Sequence, residues 1–170
     1  MRVYIPATLP LLRRWLAAGQ APAGPAQAVT PALREWYREG SGEEMEYVAQ
    51  LAAGRVALDL LAADPDARCL RVVVAADVAD LDVALRAPGD SAVDDGRGRS
   101  AVVLGTPVPV TKWASALIDD EDTESVVSAA VTALGAAAGG DDDALFALDE
   151  AASYELSWFA VQELPHLFAD

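Results

Sequence analysis

Residues 69–78, Cys-Leu-Arg-Val-Val-Val-Ala-Ala-Asp-Val, carry apolar side chains on both parities of an extended chain. A strand that hides both faces lies inside its sheet, so this stretch is read as the central strand. Ahead of it runs the longest helical pattern in the chain. Ser41 and Glu44 stand at capping-box spacing and Asp64-Pro65 breaks the run, which predicts a helix over 42–63. Its apolar arc passes through Met45, Val48, Ala49, Ala52, Val56, Leu60 and Ala63, and Asp59 falls inside that arc. Arg55, one turn earlier, is expected to neutralise the Asp59 carboxylate in a structural ion pair, with a functional carboxylate as the competing reading. Helix and strand are expected to pack together as the organising pair of the core.

On the N-terminal side, residues 2–5 read as a first strand stopped by Pro6. Thr8 caps a helix over 9–18, with Pro10 in its first turn, Gly19 as its stop, and Leu9, Leu12, Trp15 and Leu16 on one face. Residues 20–27 read as loop from their Pro and Gly content, 28–29 as a short strand, and Thr30-Pro31 as the start of a short helix ended by Gly40. Trp36 and Tyr37 are neighbours about 100° apart on that helix, so one of them is expected near the surface.

Beyond the central strand, residues 87–100 read as a long mobile loop, 101–104 as a strand, 106–110 as a proline break, 111–113 as a turn and 114–118 as a strand. Thr123 and Glu124 open a helix over 126–134, and 135–140 is an Ala/Gly break. Asp141 to Asp143 cap a helix reaching 152, and 154–161 alternates with the period of a strand. These elements predict a single α+β domain over 1–170, a mixed sheet of about five strands covered by three or four helices. A doubly wound α/β sheet is the alternative.

Charge narrows the function classes. The 27 acids against 12 bases give a net charge of −15, which opposes binding to a phosphate backbone or an anionic membrane, so neither nucleic acid nor membrane is expected as partner. The surplus acid reads first as solubility and second as a docking surface for a protein with a basic or apolar surface. Lys112 is the only lysine and alanine is abundant, a bias that points to a GC-rich genome. A single cysteine, Cys69, rules out an intrachain disulfide and fits the cytoplasm. No run reaches the roughly 18 apolar residues of a membrane span, and the N-terminus has no leader pattern.

Motif chemistry is sparse. There is no nucleophile elbow, dinucleotide fingerprint or phosphate loop, so no cofactor is expected. His166, the only histidine, stands near the C-terminus, a poor place for a positioned base, and one His with one Cys cannot build a zinc site. The acidic run 119–122 lacks the glycine and distal glutamate of a Ca²⁺ loop, and no metal site is expected there. Asp59, Asp77 at the end of the central strand, and Asp119 remain as candidate catalytic groups. They would serve a carboxylate-dependent, Mg²⁺-assisted hydrolase or transferase if they converge. The competing reading makes Asp77, Asp80, Asp82 and the 119–122 run helix caps and dipole partners.

For binding, Trp36, Tyr37 and Trp113, together with Trp158, are more aromatic mass than the apolar arcs hide, and such residues dominate interface hot spots. Packing in the core with one polar edge outward is the competing reading. The leading expectation is therefore a non-enzymatic cytoplasmic binding or regulatory protein with an acidic surface, ahead of the carboxylate enzyme and of a self-associating module.

Four segments carry a resemblance: Met-Arg-Val-Tyr-Ile-Pro-Ala-Thr (1–8), Ala-Val-Thr-Pro-Ala-Leu-Arg-Glu-Trp-Tyr (28–37), Asp-Asp-Ala-Leu-Phe-Ala-Leu-Asp-Glu-Ala (142–151) and Leu-Ser-Trp-Phe-Ala-Val-Gln-Glu-Leu (156–164). Over nearly its whole length the chain resembles a family of small uncharacterised actinobacterial proteins. That resemblance implies no activity, cofactor or site residue.

Overall fold

The structure, a computed structural model, describes residues 1–86 and 97–169. In chain order it runs β1 (Arg2–Ala7), α1 (Leu9–Ala18), β2 (Gln20–Ala21), β3 (Gly24–Ala28), α2 (Pro31–Trp36), α3 (Gly42–Ala63), β4 (Val72–Asp77), β5 (Val83–Leu85) and α4 (Arg97–Ser100). It continues through β6 (Ala101–Leu104), β7 (Val108–Pro109), β8 (Trp113–Ile118), α5 (Glu124–Ala138), α6 (Asp142–Ser153) and β9 (Ser157–Phe159), and closes in a 3-10 segment, Val161–Phe168.

β4 is the interior strand its pattern predicts. It lies between β1 and β8, paired antiparallel to both, and Val72 to Ala76 are buried on both parities. The full sheet has seven strands in the order β5-β6-β3-β1-β4-β8-β9, and β2 with β7 forms a separate ribbon. The α+β class holds. The sheet is nevertheless larger than five strands, and it is antiparallel at every neighbouring pair rather than mixed. That pairing also removes the doubly wound alternative, which requires parallel strands.

The additional strands come from segments read as something else. Residues 20–27 contain β2 and most of β3, which are strands through their pairing with β7, β1 and β6 rather than through composition. Residues 106–110 contain β7, and of 154–161 only Ser157–Phe159 is strand. Pro6 does not stop β1. β3 pairs only with Val3 and Tyr4, so at Pro6 the strand has no ladder partner to lose on that side. The helix of 30–39 is shorter than expected, α2 ending at Trp36, while α5 runs through Gly135 to Ala138. Most of the 87–100 loop lies outside the described residues, and 97–100 is the helical turn α4.

Strand parity sorts the core into two layers. Val72, Val74 and Ala76 share one face with Val3, Ile5, Ala116 and Ile118, covered by Leu12 and Trp15 of α1 and by Leu164 of the closing segment. Val73, Ala75, Tyr4 and Leu117 share the other face and meet Ala49 and Ala53 of α3. Toward its C-terminus α3 leaves the sheet, and Leu58 and Leu61 pack on Val127, Ala130, Leu148 and Ala151 of α5 and α6. One helix thus bridges the sheet to an outer helical pair.

Local chemistry sets the helix ends. Thr8 accepts from the Leu11 amide, Gly19 closes α1 at φ 72°, and Ser41 and Glu44 form the expected reciprocal box on α3. The phase of α3 differs from the expected arc. Its buried face is Met45, Ala49, Ala52, Ala53, Ala57, Leu58 and Leu61, whereas Val48, Val56 and Leu60 are half-buried and Asp59 is exposed. Larger apolar residues off the buried face, Val48, Leu51, Val56 and Leu60, make the phase unreadable from apolarity alone, and the small side chains take the sheet side, where they permit close approach. An exposed Asp59 carries no burial penalty for Arg55 to relieve.

Gly54 is buried in the interior of α3, and a Cβ built on it meets nothing within 4 Å. Helical glycine costs about 1 kcal/mol against alanine, so Gly54→Ala is expected to raise unfolding stability by about that amount in urea titration. A destabilised variant would show that the space beside Gly54 is closed.

Candidate functional site

The three carboxylates proposed for catalysis do not meet. Asp59 projects from the outside of α3. Asp77 ends β4 and accepts from Arg2 Nε and Nη2 at 2.7 and 3.0 Å. These two hydrogen bonds from the Arg2 guanidinium hold the Asp77 carboxyl below its ordinary range and raise Arg2. The Met1 ammonium lies 3.2 Å from Asp80 and donates to the Val78 carbonyl at 2.8 Å. Asp119 follows β8 at the opposite end of the β4–β8 ladder, roughly 20 Å from Asp77 at about 3.3 Å per residue. Among the described residues no cluster of three or more His, Cys, Asp or Glu is placed to hold a metal.

Asp119 instead completes a buried pair with Arg71. Its Oδ2 accepts from the Arg71 amide at 2.7 Å and from Arg71 Nε at 2.8 Å, and its Oδ1 accepts from Nη2 at 2.7 Å. Arg71 Nη2 also donates to the Tyr154 carbonyl at 3.1 Å, and the Asp119 amide donates to the Arg71 carbonyl at 3.1 Å. The side chains are 5% and 0% exposed, so each charge survives in the interior only because the other is there. One sequence signal pointed to this pair: Arg71 is a cation at the mouth of an otherwise apolar central strand, and such a cation demands an acid at the end of a neighbouring strand.

Asp120 and Glu121 of the acidic run are structural as well. Arg68 donates to Glu121 at 3.0 Å and to Glu124 at 2.8 Å, which raises the guanidinium and lowers the Glu124 carboxyl. Ser157 Oγ donates to Asp120 Oδ1 at 2.6 Å. Arg71 and Asp120 together fix the 154–157 segment against the end of β8.

Of the aromatic candidates, three are on the surface and one is not. Trp36 is 64% exposed, Tyr37 beside it is also exposed, and the Arg99 guanidinium stacks 3.8 Å from the Trp36 ring centroid. The Thr30 hydroxyl donates to the Arg99 carbonyl, which ties α4 to the start of α2. Trp113 is excluded as an anchor: it is 6% exposed, and its Nε1 donates to the Val108 carbonyl at 3.2 Å. That acceptor belongs to β7, a strand not read from the sequence. Trp158 stands exposed on the edge strand β9.

A cleft that the sequence did not reveal opens between α3, the C-terminal end of α6 and residues 154–156. Tyr47, Leu51 and Arg55 on one side face Leu148 and Tyr154 on the other, with Gly54 and Arg71 also in its lining. About 430 Å³ of space lies within it, open solvent included.

Replacing Asp119 by Ala strands Arg71 in the interior and is expected to cost about 3–5 kcal/mol in chemical denaturation. The double change Arg71→Met with Asp119→Leu is expected to cost less than Asp119→Ala alone; a larger cost would show that the pair stabilises beyond relieving its own desolvation. Asp77 titrates lower folded than unfolded, so its bond to Arg2 stabilises above the unfolded value of about 4 and is lost as pH falls through the folded one. The Tm deficit of Asp77→Asn should therefore be full at neutral pH and close as acid protonates the folded carboxyl. A deficit independent of pH would contradict this linkage.

Among curated proteins and solved structures, none matches the chain. A family of unknown function, DUF6912, matches residues 1–168, a span that includes all four segments on which the sequence resemblance rests. The chain therefore belongs to that family, as a member whose buried acid, Asp119, serves its architecture.

Proposed function

We propose that the protein is a non-enzymatic cytoplasmic binding or regulatory protein that docks a partner of basic or apolar surface through the Trp36–Tyr37 face. The observation that carries this reading is Trp36, a large aromatic left mostly in water yet held in one orientation by Arg99. An anchor ordered before contact loses little freedom on binding, and Trp, Tyr and Arg together form the usual centre of a hot spot. The net charge of −15 supports attraction of a basic partner to the molecule as a whole.

The enzymatic alternative has less support, because Asp77 and Asp119 are engaged by arginines at opposite ends of β4. Cytoplasmic placement is supported by the single cysteine and by the lack, among the described residues, of a helix long and apolar enough to cross a membrane. Abundant alanine and a lone lysine support an actinobacterial source.

Affinity capture from a lysate of the source cell at low salt is expected to recover one stoichiometric partner. Trp36→Ala and Tyr37→Ala are expected to lose it without change in Tm. Recovery of nothing reproducible, or equal recovery by the variants, would reject this function.

A further inference from the structure

We infer that the cleft between α3 and α6 binds a small monocarboxylic acid with an apolar or aromatic body. Four observations meet there. The walls are apolar and aromatic: Tyr47, Leu51 and Tyr154 remain exposed at the rim, and Leu148 lies between the helices. The cleft is narrow and open to solvent, its roughly 430 Å³ including that open space, so it takes only a small molecule that lies partly in water.

The third observation is Gly54. A bare position in a helix interior is unfavourable, and packing does not require it, because a Cβ would meet nothing within 4 Å. Since Gly54 lines the cleft, the effect of the missing side chain is to keep that volume open.

The fourth is charge. Two of the chain's twelve bases, Arg55 and Arg71, line the cleft of a molecule carrying a net charge of −15. Arg71 is committed to Asp119 and to the Tyr154 carbonyl, which makes Arg55 the group that grips a ligand. A guanidinium has five N–H donors in a planar fork, so Arg55 can keep an intramolecular contact and still present an edge to a carboxylate. Glu155 also lines the cleft, and its charge disfavours a dianion such as phosphate. The Arg71–Tyr154 bond holds the far rim in place, so the site is formed before the ligand arrives.

The test uses the full chain, labelled with ¹⁵N and titrated with phenylacetate. Amide shifts are expected to be confined to residues 47–58, 71 and 148–156, with a dissociation constant of about 1 mM or tighter. 2-Phenylethanol, the same body without the carboxylate, should bind at least about tenfold more weakly, and inorganic phosphate should shift nothing there. Arg55→Gln should weaken phenylacetate by at least about tenfold. Gly54→Leu should abolish binding by filling the cleft while leaving Tm undiminished.

Absence of saturable shifts at about 10 mM, shifts centred elsewhere, an alcohol that binds as tightly as the acid, or full binding by folded Gly54→Leu would each overturn the inference. If Gly54→Leu does not fold, the alcohol and Arg55→Gln decide between the outcomes.

Discussion

A strand buried on both faces and paired on both edges dictates most of what surrounds it. β4 hands Val72, Val74 and Ala76 to one layer and Val73 and Ala75 to the other, so each layer needs its own cover. On one side that cover is α1 with the closing 3-10 segment; on the other it is α3. Both edges of β4 are occupied over nearly its whole length, by β1 and by β8. The same burial makes Arg71 costly at the mouth of the strand, and the cost is met by Asp119 from the adjacent strand end. The acidic turn after β8 then becomes part of the frame rather than a reactive surface, with Arg68, Arg71 and Ser157 holding Glu121, Glu124, Asp119 and Asp120.

What could be read beforehand follows from how far each determinant reaches along the chain. The ends of α1, α3 and α6 were legible because capping acts over three or four residues: Thr8 with Gly19, Ser41 with Glu44, Asp141 on the Ala144 amide. β4 was legible because burial on both parities has no other extended interpretation. β2, β3, β7 and β9 were not, or only in part, since runs of two to five residues, in β2 and β3 only Gly, Pro, Ala and Gln, become strand only when a partner tens of residues away supplies the ladder. The phase of α3 failed for another reason. Its contact face is mostly alanine while the larger Val48, Leu51, Val56 and Leu60 lie off it, and Asp59 was placed in the core by an arc one residue out of step.

The same distinction separates the functional readings. Trp36 and Tyr37 are adjacent on a short helix, so geometry alone put at least one outside, and both are. Trp113 needed knowledge of β7, whose Val108 carbonyl accepts its indole N–H. The convergence of carboxylates is a long-range property that no local pattern encodes. The Arg71–Asp119 pair spans 48 positions of the chain, and only the cost of a buried cation, applied to Arg71, could have asked for it in advance. The cleft is less legible still. Its walls come from α3, α6 and the 154–156 turn, and its depth depends on a glycine that looks, in sequence, like one more small residue in an alanine-rich helix.

Both candidate surfaces depend on α3. The helix begins just after Trp36 and Tyr37, presents Tyr47 to Leu58 to the cleft, and lies on the sheet through Ala49 and Ala53. A helix seated on small side chains against a sheet, and clamped beyond by Leu58 and Leu61 on α5 and α6, has no second seat of comparable packing to shift into. A ligand moves an equilibrium only by binding two states differently. Occupancy of the cleft is therefore not transmitted to the Trp36 face by displacement of α3. Communication between the two would have to run through steric overlap or charge at the surface, which makes a partner large enough to span both the only one for which they act together.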